Sequence, residues 1–178
     1  MNKDSFIIAE IWYDAKLMMT GRGVDSVMNY ELRDMLLALV ADESIGVGDF
    51  HERLVRHANR YALAEAMGLY NLLGSHDTER IWTRCGADRR KLSLLLAMQF
   101  MLPGMPAVYY GDEIGMAGDN DPGCRGAMRW EPEPADSDIW QETAEWIRLR
   151  KSHPALLGGD LILFAAERCK RLYDCQKT

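Results

Sequence analysis

Apolar runs of strand length alternate along the chain with segments whose apolar residues recur every three or four positions. The short runs predict strands at residues 6–11, 24–30, 69–75 and 106–110. The helically spaced segments predict helices at residues 31–41, 49–67, 88–102 and 137–151. This alternation is typical of a parallel sheet whose strands are joined by crossover helices.

The predicted helix 49–67 carries signals at both of its ends. Asp49, with Glu52 three residues later, resembles a capping box, and Gly68 ends the apolar pattern. His51 and His57 lie six residues apart, on different faces of this helix, and both are predicted to be surface residues.

The pattern weakens after the last helix. That helix is predicted to turn three residues inward, Trp140, Ala144 and Ile147. Beyond Pro154 only residues 161–164 resemble a strand. We therefore expect two parts: a domain of residues 1–154, and residues 155–178 as the remnant of a linker or C-terminal β-domain or as a disordered tail.

Four alternating strands correspond to half of an eight-stranded barrel. The expected fold class is α/β, as half of a (β/α)8 TIM barrel that is truncated before any C-terminal β-sandwich. A doubly wound sheet also fits the alternation. The nucleotide-binding versions of that sheet lose support, since the sequence has neither G-x-G-x-x-G after a strand nor G-x-x-x-x-G-K-[ST].

The composition of the chain indicates a globular domain and disfavours several kinds of partner. The 178 residues are 48% hydrophobic, enough for a sizeable core, and the net charge of −6 disfavours nucleic acid as a partner. No run approaches the ~20 apolar residues of a membrane span. The four cysteines form no C-x-x-C pair, which disfavours a zinc site. The simplest interpretation of these cysteines is that they are reduced thiols in a cytoplasmic protein. The alternative is an exported protein whose signal lies in a preceding segment.

Two acidic residues lie where predicted strands end. Glu10 belongs to the apolar run 6–11, and Asp77 follows the run 69–75. A barrel aims its catalytic groups from the C-terminal ends of its strands into one mouth. Two carboxylates there suggest glycoside hydrolysis, which needs an acid and a base or nucleophile around the scissile bond. The simpler alternatives are a Glu10 that is satisfied by an arginine or a helix N-terminus, and an Asp77 that caps the next helix.

Two neighbouring motifs fail a more specific interpretation. Residues 75–77, Ser-His-Asp, cannot form a catalytic triad, because a triad needs residues that converge from separate segments. Counted from Asp119, the sixth and twelfth positions, where an EF-hand requires glycine and glutamate, are Cys124 and Trp130, so calcium has no support here. Asp121 and Arg125 in that loop form either a stabilising ion pair or a rim that contacts sugar hydroxyls.

Five motifs occur in order along the chain: AEIWYDA at 9–15, DSVMNY at 25–30, NLLGSHDTER at 71–80, YYGDEIGM at 109–116 and NDPGCR at 120–125. Together they resemble the alpha-amylase superfamily of glycoside hydrolases, in particular its neopullulanase, cyclomaltodextrinase and maltogenic amylase group. The resemblance runs from about Phe6 to Leu157. It implies that the four strands are strands five to eight of the barrel, with the nucleophile on a strand that precedes them.

The resemblance implies a role for each matching residue. Glu10 corresponds to the general acid/base, and Asp77, with His76 as its hydrogen-bonding neighbour, to the carboxylate that stabilises the transition state. The implied substrate contacts are Trp12, Arg80, Asp121 and Arg125. No cofactor or metal is required, although calcium is possible in a longer enzyme.

The expected function is therefore that of a fragment of a retaining α-glucan hydrolase for maltodextrin, cyclomaltodextrin or pullulan. Without its nucleophile it is expected to be inactive alone. The rival is a non-catalytic half-barrel that self-associates or binds glucan weakly, and a transglycosylase or sugar isomerase of the same superfamily is a third interpretation. The open edges at 6–11 and 106–110 predict a homodimer or aggregate.

Overall fold

The computed structural model describes residues 5–14, 16–20, 23–131, 136–158 and 161. Its strands are β1 (Ile8–Ala9), β2 (Ser26–Val27), β3 (Tyr70–Leu72) and β4 (Met105–Ala107). Its helices are α1 (Lys16–Thr20), α2 (Tyr30–Val40), α3 (Val47–Arg60), α4 (Leu63–Gly68), α5 (Ile81–Arg84), α6 (Arg89–Met101), α7 (Asp136–Ser152) and α8 (Pro154–Gly158). Two 3₁₀ turns, Asp112–Ile114 and Gly123–Arg125, lie in the loop after β4. None of the described helices is long and apolar enough to cross a membrane.

The described strands pair in parallel, as the alternation predicts. β1 pairs with β2 and β3 pairs with β4. A single parallel bridge between Met28 and Tyr70 connects the two pairs, so the spatial order is β1, β2, β3, β4. The carboxyl ends of all four strands therefore point to one edge of the sheet, which is where a parallel β/α fold collects its functional groups.

The strands are shorter than the apolar runs predict. The run 24–30 shows why: Asn29 already caps α2, with its side chain accepting a hydrogen bond from the Leu32 amide at 3.3 Å. Tyr30 is therefore the first helical residue and not the last residue of a strand. A side-chain cap of this kind ends the extended backbone, because the capping oxygen satisfies an amide that the helix leaves free.

Helices α2 and α6 bury the faces that the sequence predicts and form the main core with α3. Leu92 and Leu95 of α6 are completely inaccessible to solvent. The other central members of this core are Leu32, Met35, Leu36, Val40, Phe50, Leu54, Leu96 and Phe100. A smaller cluster under β1 and β2 contains Ile11, Val27, Tyr61 and Leu69.

The prediction of one continuous helix over 49–67 is wrong. The chain is extended at Tyr61 and Ala62, which separates α3 from α4. The break places the Tyr61 ring in the small core beside Ile11 and Leu69, and the Glu65 side chain then accepts from the Ala62 amide at 2.8 Å. The predicted capping box at the start of this helix is wrong as well, since α3 begins after an extended Gly46 without a side-chain cap.

His57 is buried, contrary to the prediction of a surface position. Its side chain is 5% exposed, and its ring packs edge-on against Tyr61 with centroids 5.4 Å apart. His57 Nδ1 lies 3.4 Å from a carboxylate oxygen of Glu31. This contact, together with Arg60, lowers the pKa of Glu31 to about 2. The periodicity of α3 alone could not show that a partner from α2 lies above this position.

Helix α7 is rotated relative to the prediction. Trp140 is 55% exposed and Ile147 lies at the surface, whereas Ile139, Thr143 and Arg150 face inward. The buried guanidinium of Arg150 donates hydrogen bonds to three carbonyl groups at the end of α6, those of Phe100, Leu102 and Gly104. These bonds set the rotation of α7. The predicted strand over 161–164 lies outside the described residues apart from Leu161.

The core predicts a clear difference between two adjacent leucines of α6. Leu95→Ala should lower the free energy of unfolding by about 2–5 kcal/mol, because it leaves a cavity in a site with no solvent access. The matched control is Leu94→Ala, whose side chain is half exposed, and it should change stability by less than about 1 kcal/mol. Urea unfolding of both variants measures the difference, and equal losses would contradict this assignment of the core.

Candidate active site

Three residues that the sequence singles out lie together at the carboxyl ends of β1 and β3. One side-chain oxygen of Glu10, one of Asp77 and a ring nitrogen of His76 all lie within 4.8 Å of one another. Glu10 directly follows β1, and His76 and Asp77 lie in the turn after β3. All three side chains are exposed. Glu10 therefore does not lie in the apolar surroundings that its run of sequence predicts.

The turn that carries His76 and Asp77 is held from below by two buried hydroxyl residues. The Ser75 amide donates to Thr78 Oγ1 at 3.0 Å, and the Asp77 amide donates to Ser75 Oγ at 3.3 Å. Both hydroxyl residues are buried, whereas the two residues between them are exposed. The turn thus presents an imidazole and a carboxylate on a rigid base.

Arg125 connects the distant loop after β4 to this turn. Its Nη2 lies 3.0 Å from Asp77 Oδ1, and its Nε donates to the carbonyl of His76 at 3.0 Å. Arg125 Nε is also 3.0 Å from Asp121 Oδ1, which is the ion pair of the first of the two alternatives that the sequence leaves open for this loop. The pairing with Asp77 is a contact that sequence reasoning missed, because the two residues are 48 positions apart.

Trp12 provides an open aromatic surface beside the cluster. Its ring stacks on Tyr30 with centroids 3.8 Å apart and planes inclined by 14°, while half of the side chain remains exposed. The Tyr30 hydroxyl donates to Ser75 Oγ at 3.1 Å. Burial raises the pKa of Tyr30, so this hydroxyl keeps its proton. Tyr30 therefore joins the aromatic platform to the turn of His76 and Asp77, and the sequence carried no signal for this role.

Arg80 does not lie at the surface with the other predicted contacts. Its side chain is fully buried, and its guanidinium carbon lies 4.4 Å and 4.5 Å from the ring centroids of Tyr109 and Tyr110. It donates to the carbonyl of Tyr110 and lies 3.4 Å from a carboxylate oxygen of Asp112. This position beneath the cluster favours a supporting role over direct contact with a sugar.

Asp112 is the buried acidic partner that the sequence analysis did not single out. Burial raises its pKa to about 7, against the opposing effect of Arg80. The carboxylate also occupies the space next to Gly74, where an added Cβ would lie 2.5 Å from Asp112 Oδ2. Glycine at position 74 therefore leaves room for Asp112 beside Arg80.

Glu10, His76 and Asp77 are also the group in the described part of the chain whose atoms could hold a metal ion. Both oxygens of Asp77 are already engaged, one by Arg125 and the other by His76 at 3.3 Å. The positive charge of Arg125 disfavours a second cation at the same carboxylate. We therefore assign no metal to this cluster.

A parallel β/α fold that gathers acidic groups at the carboxyl ends of its strands has the architecture of a barrel-type enzyme. Residues 1–157 match the family described as "Alpha amylase, catalytic domain", and the chain belongs to that family. This match confirms the resemblance to the alpha-amylase family that the five motifs indicate.

Several relatives show what the chain is similar to. It is 42% identical over 167 residues to a cyclomaltodextrinase of Geobacillus thermopakistaniensis. The alignment covers 94% of this chain and 28% of the relative. It is 39% identical to neopullulanase 2 of Thermoactinomyces vulgaris, across the whole chain and 30% of the relative. The chain thus spans less than a third of the length of these relatives.

Solved structures agree with this relationship. The cyclic alpha-maltosyl-(1→6)-maltose hydrolase of Arthrobacter globiformis, in its ligand-free form, superposes with a TM-score of 0.86 at 38% identity. The superposition covers 92% of this chain and 38% of the hydrolase. A maltogenic amylase from S. marinus superposes with a TM-score of 0.85 at 32% identity, over 92% of this chain and 23% of that enzyme.

The raised pKa of Asp112 predicts a pH-dependent stability. A carboxyl whose folded pKa lies near 7, above its ordinary 3.8, stabilises the fold fully below pH 3.8 and loses that contribution as the pH rises through 7. Relative to Asp112→Asn, the protein should lose up to about 1.4 kcal/mol per pH unit across this window. Urea unfolding at several pH values measures the slope. The exposed variant Asp49→Asn is the control, and a parallel pH dependence of the protein and Asp112→Asn would contradict the buried carboxyl.

Proposed function

We propose that this chain carries the acid/base and the transition-state-stabilising carboxylate of a retaining α-glucan hydrolase. The observation that carries the proposal is the convergence of Glu10, His76 and Asp77 within 4.8 Å at the ends of β1 and β3. The relatives of the chain are glycoside hydrolases of the alpha-amylase family. In this proposal β1 to β4 correspond to strands five to eight of the barrel.

The surroundings of the two carboxylates support different roles for them. Glu10 is exposed next to the open face of the site, where it can protonate a leaving oxygen and then deprotonate water. Asp77 is held by Arg125 on one oxygen and by His76 on the other. A carboxylate engaged on both oxygens is a poor nucleophile, but it can accept hydrogen bonds from sugar hydroxyls that strengthen in the transition state.

The nucleophile is then a third carboxylate. One oxygen each of Glu10 and Asp77 lies within 4.8 Å of the other, and a retaining acid and nucleophile are about 5–5.5 Å apart, so Asp77 as nucleophile is the alternative to be tested. Its engagement by Arg125 argues against that alternative. In our proposal the nucleophile lies on a neighbouring strand of a longer protein, and this chain alone binds glucan without cleaving it.

The proposed substrate is an α-1,4-linked glucan such as maltodextrin or cyclomaltodextrin, with pullulan as a related candidate. The relatives are named as a cyclomaltodextrinase, a neopullulanase and a maltogenic amylase. The half-exposed Trp12 can stack against a sugar ring on the leaving-group side. Asp121 and Arg125, in the loop after β4, have half-exposed side chains that can contact sugar hydroxyls.

The chain alone should release no new reducing ends from maltodextrin or cyclomaltodextrin, because Glu10 and Asp77 do not complete a retaining set. It should bind maltoheptaose, and Asp77→Asn should weaken that binding about three- to tenfold through lost hydrogen bonds. Calorimetry measures the binding, with exposed Asp49→Asn of α3 as the matched control. Robust turnover that disappears in Glu10→Gln but persists in the exposed control Glu52→Gln would contradict the assignment, since Asp77 would then have to be the nucleophile.

A second proposal is that the chain self-associates through its sheet edges. Phe6 and Ile8 at β1 have exposed side chains, as does Val108 beside β4. The edge at β4 continues into the exposed apolar side chains of Trp140 and Ile147 on α7. Unpaired strand edges with apolar neighbours favour pairing with a second copy.

Light scattering at micromolar concentration should give a mass of at least twice the 20.2 kDa of the chain. Val108→Lys should shift the protein toward a monomer, because a charge at the edge must be desolvated on pairing. Val47→Lys is the matched control, since Val47 is exposed on α3, away from both edges. A monodisperse monomer of the unchanged chain would exclude the association.

A further inference from the structure

A continuous set of contacts runs from the buried Arg80 to the exposed Arg125. We propose that Tyr110 is a positioning residue, whose hydroxyl holds the backbone of Arg125 so that the guanidinium stays on Asp77. The consequence for glucan binding rests on the function proposed above. The positioning itself does not, because it concerns contacts within this chain.

The base of this set is the guanidinium of Arg80. It is fully buried against both tyrosine rings and donates to the carbonyl of Tyr110. The Arg80 amide donates to the carbonyl of Gly118 at 2.9 Å. Arg80 therefore holds the loop after β4 at two points, Tyr110 and Gly118. The backbone from which the Tyr110 ring projects is fixed in this way.

The tyrosine hydroxyls reach the segment that carries Arg125. Tyr110 Oη donates to the carbonyl of Gly126 at 2.8 Å, and Tyr109 Oη donates to the carbonyl of Cys124 at 3.4 Å. These two carbonyls belong to the residues on either side of Arg125. The bond from Tyr110 has ideal length, whereas the bond from Tyr109 is at the long limit.

Fixing the backbone matters because the Arg125 side chain is half exposed. An exposed ion pair usually contributes little, since holding a long side chain in one geometry costs rotamer entropy and water screens the charges. When Tyr110 holds the neighbouring backbone, the Cα of Arg125 is restricted to fewer positions, and its side chain has fewer conformations to lose. The side chain then reaches Asp77 Oδ1 and the carbonyl of His76 together, each at 3.0 Å.

The same contacts allow a competing interpretation. The Tyr110 side chain is partly exposed and could contact a sugar directly. In that case loss of its hydroxyl would weaken glucan binding whether or not Arg125 is present. Positioning through Arg125 makes the opposite prediction, and a double-mutant cycle separates the two.

The first experiment needs no glucan. In the purified chain, the Nε proton of Arg125 is assigned by nuclear magnetic resonance through its loss in Arg125→Lys, and its exchange with water is measured. Tyr110→Phe should accelerate that exchange about three- to tenfold, the change expected from the loss of one hydrogen bond. Tyr109→Phe should have a smaller effect, because its bond is longer. Tyr70→Phe in β3 removes the same atom elsewhere and is the control. Unchanged exchange in Tyr110→Phe would overturn the proposal.

The second experiment measures the affinity for maltoheptaose in the chain, Tyr110→Phe, Arg125→Ala and the double variant. Tyr110→Phe should weaken binding about three- to tenfold alone and less than twofold in the Arg125→Ala background. An equal loss in both backgrounds would overturn the proposal in favour of direct sugar contact. If the unchanged chain binds no maltoheptaose, the proposed function fails, and the exchange experiment still decides the positioning.

Discussion

The buried guanidinium of Arg80 places a strong constraint on the carboxyl edge of the sheet. A buried cation is stable only when its surroundings replace the water that it has lost. Here part of that replacement comes from the faces of Tyr109 and Tyr110, the Tyr110 carbonyl and the Asp112 carboxyl, while Nε and Nη2 of Arg80 have no hydrogen-bond partner among the described residues. Arg80 follows β3 and all of these partners follow β4, so these contacts bring the ends of two strands together.

The site is exposed, but the groups that carry it rest on buried ones. The turn of His76 and Asp77 stands on Ser75 and Thr78, and the platform of Trp12 stands on Tyr30. In this arrangement the turn of His76 and Asp77 and the Trp12 ring face solvent while each contacts a buried neighbour that limits its motion. An exposed cluster can in this way be as well ordered as a buried one.

The two halves of the site rest on cores of different size. Asp77 follows β3, which packs against α2 and the large cluster around Leu92 and Leu95. Glu10 follows β1, whose Ala9 packs against the small cluster around Tyr61 and Leu69. Local opening costs less where fewer apolar contacts are lost, so the Glu10 strand depends more on its neighbours than the Asp77 turn does.

Part of this organisation is determined by the sequence alone. The alternation of strands and helices, the buried faces of α2 and α6 and the acidic groups at strand ends follow from local periodicity. The family follows from five ordered motifs, and its match to residues 1–157 agrees with them. Local periodicity predicts the buried faces of α2 and α6 correctly because the apolar residues of each helix recur on the one face that packs into the core.

Only the tertiary structure decided which groups meet. The break at Tyr61 exists because that ring fills a core with Ile11 and Leu69, and the rotation of α7 exists because Arg150 binds carbonyl groups in the last turn of α6 and just after it. The burial of Arg80 likewise needs Asp112, which lies 32 positions away. Each outcome depends on a partner that is distant in sequence, and the pattern within a single element contains no information about that partner.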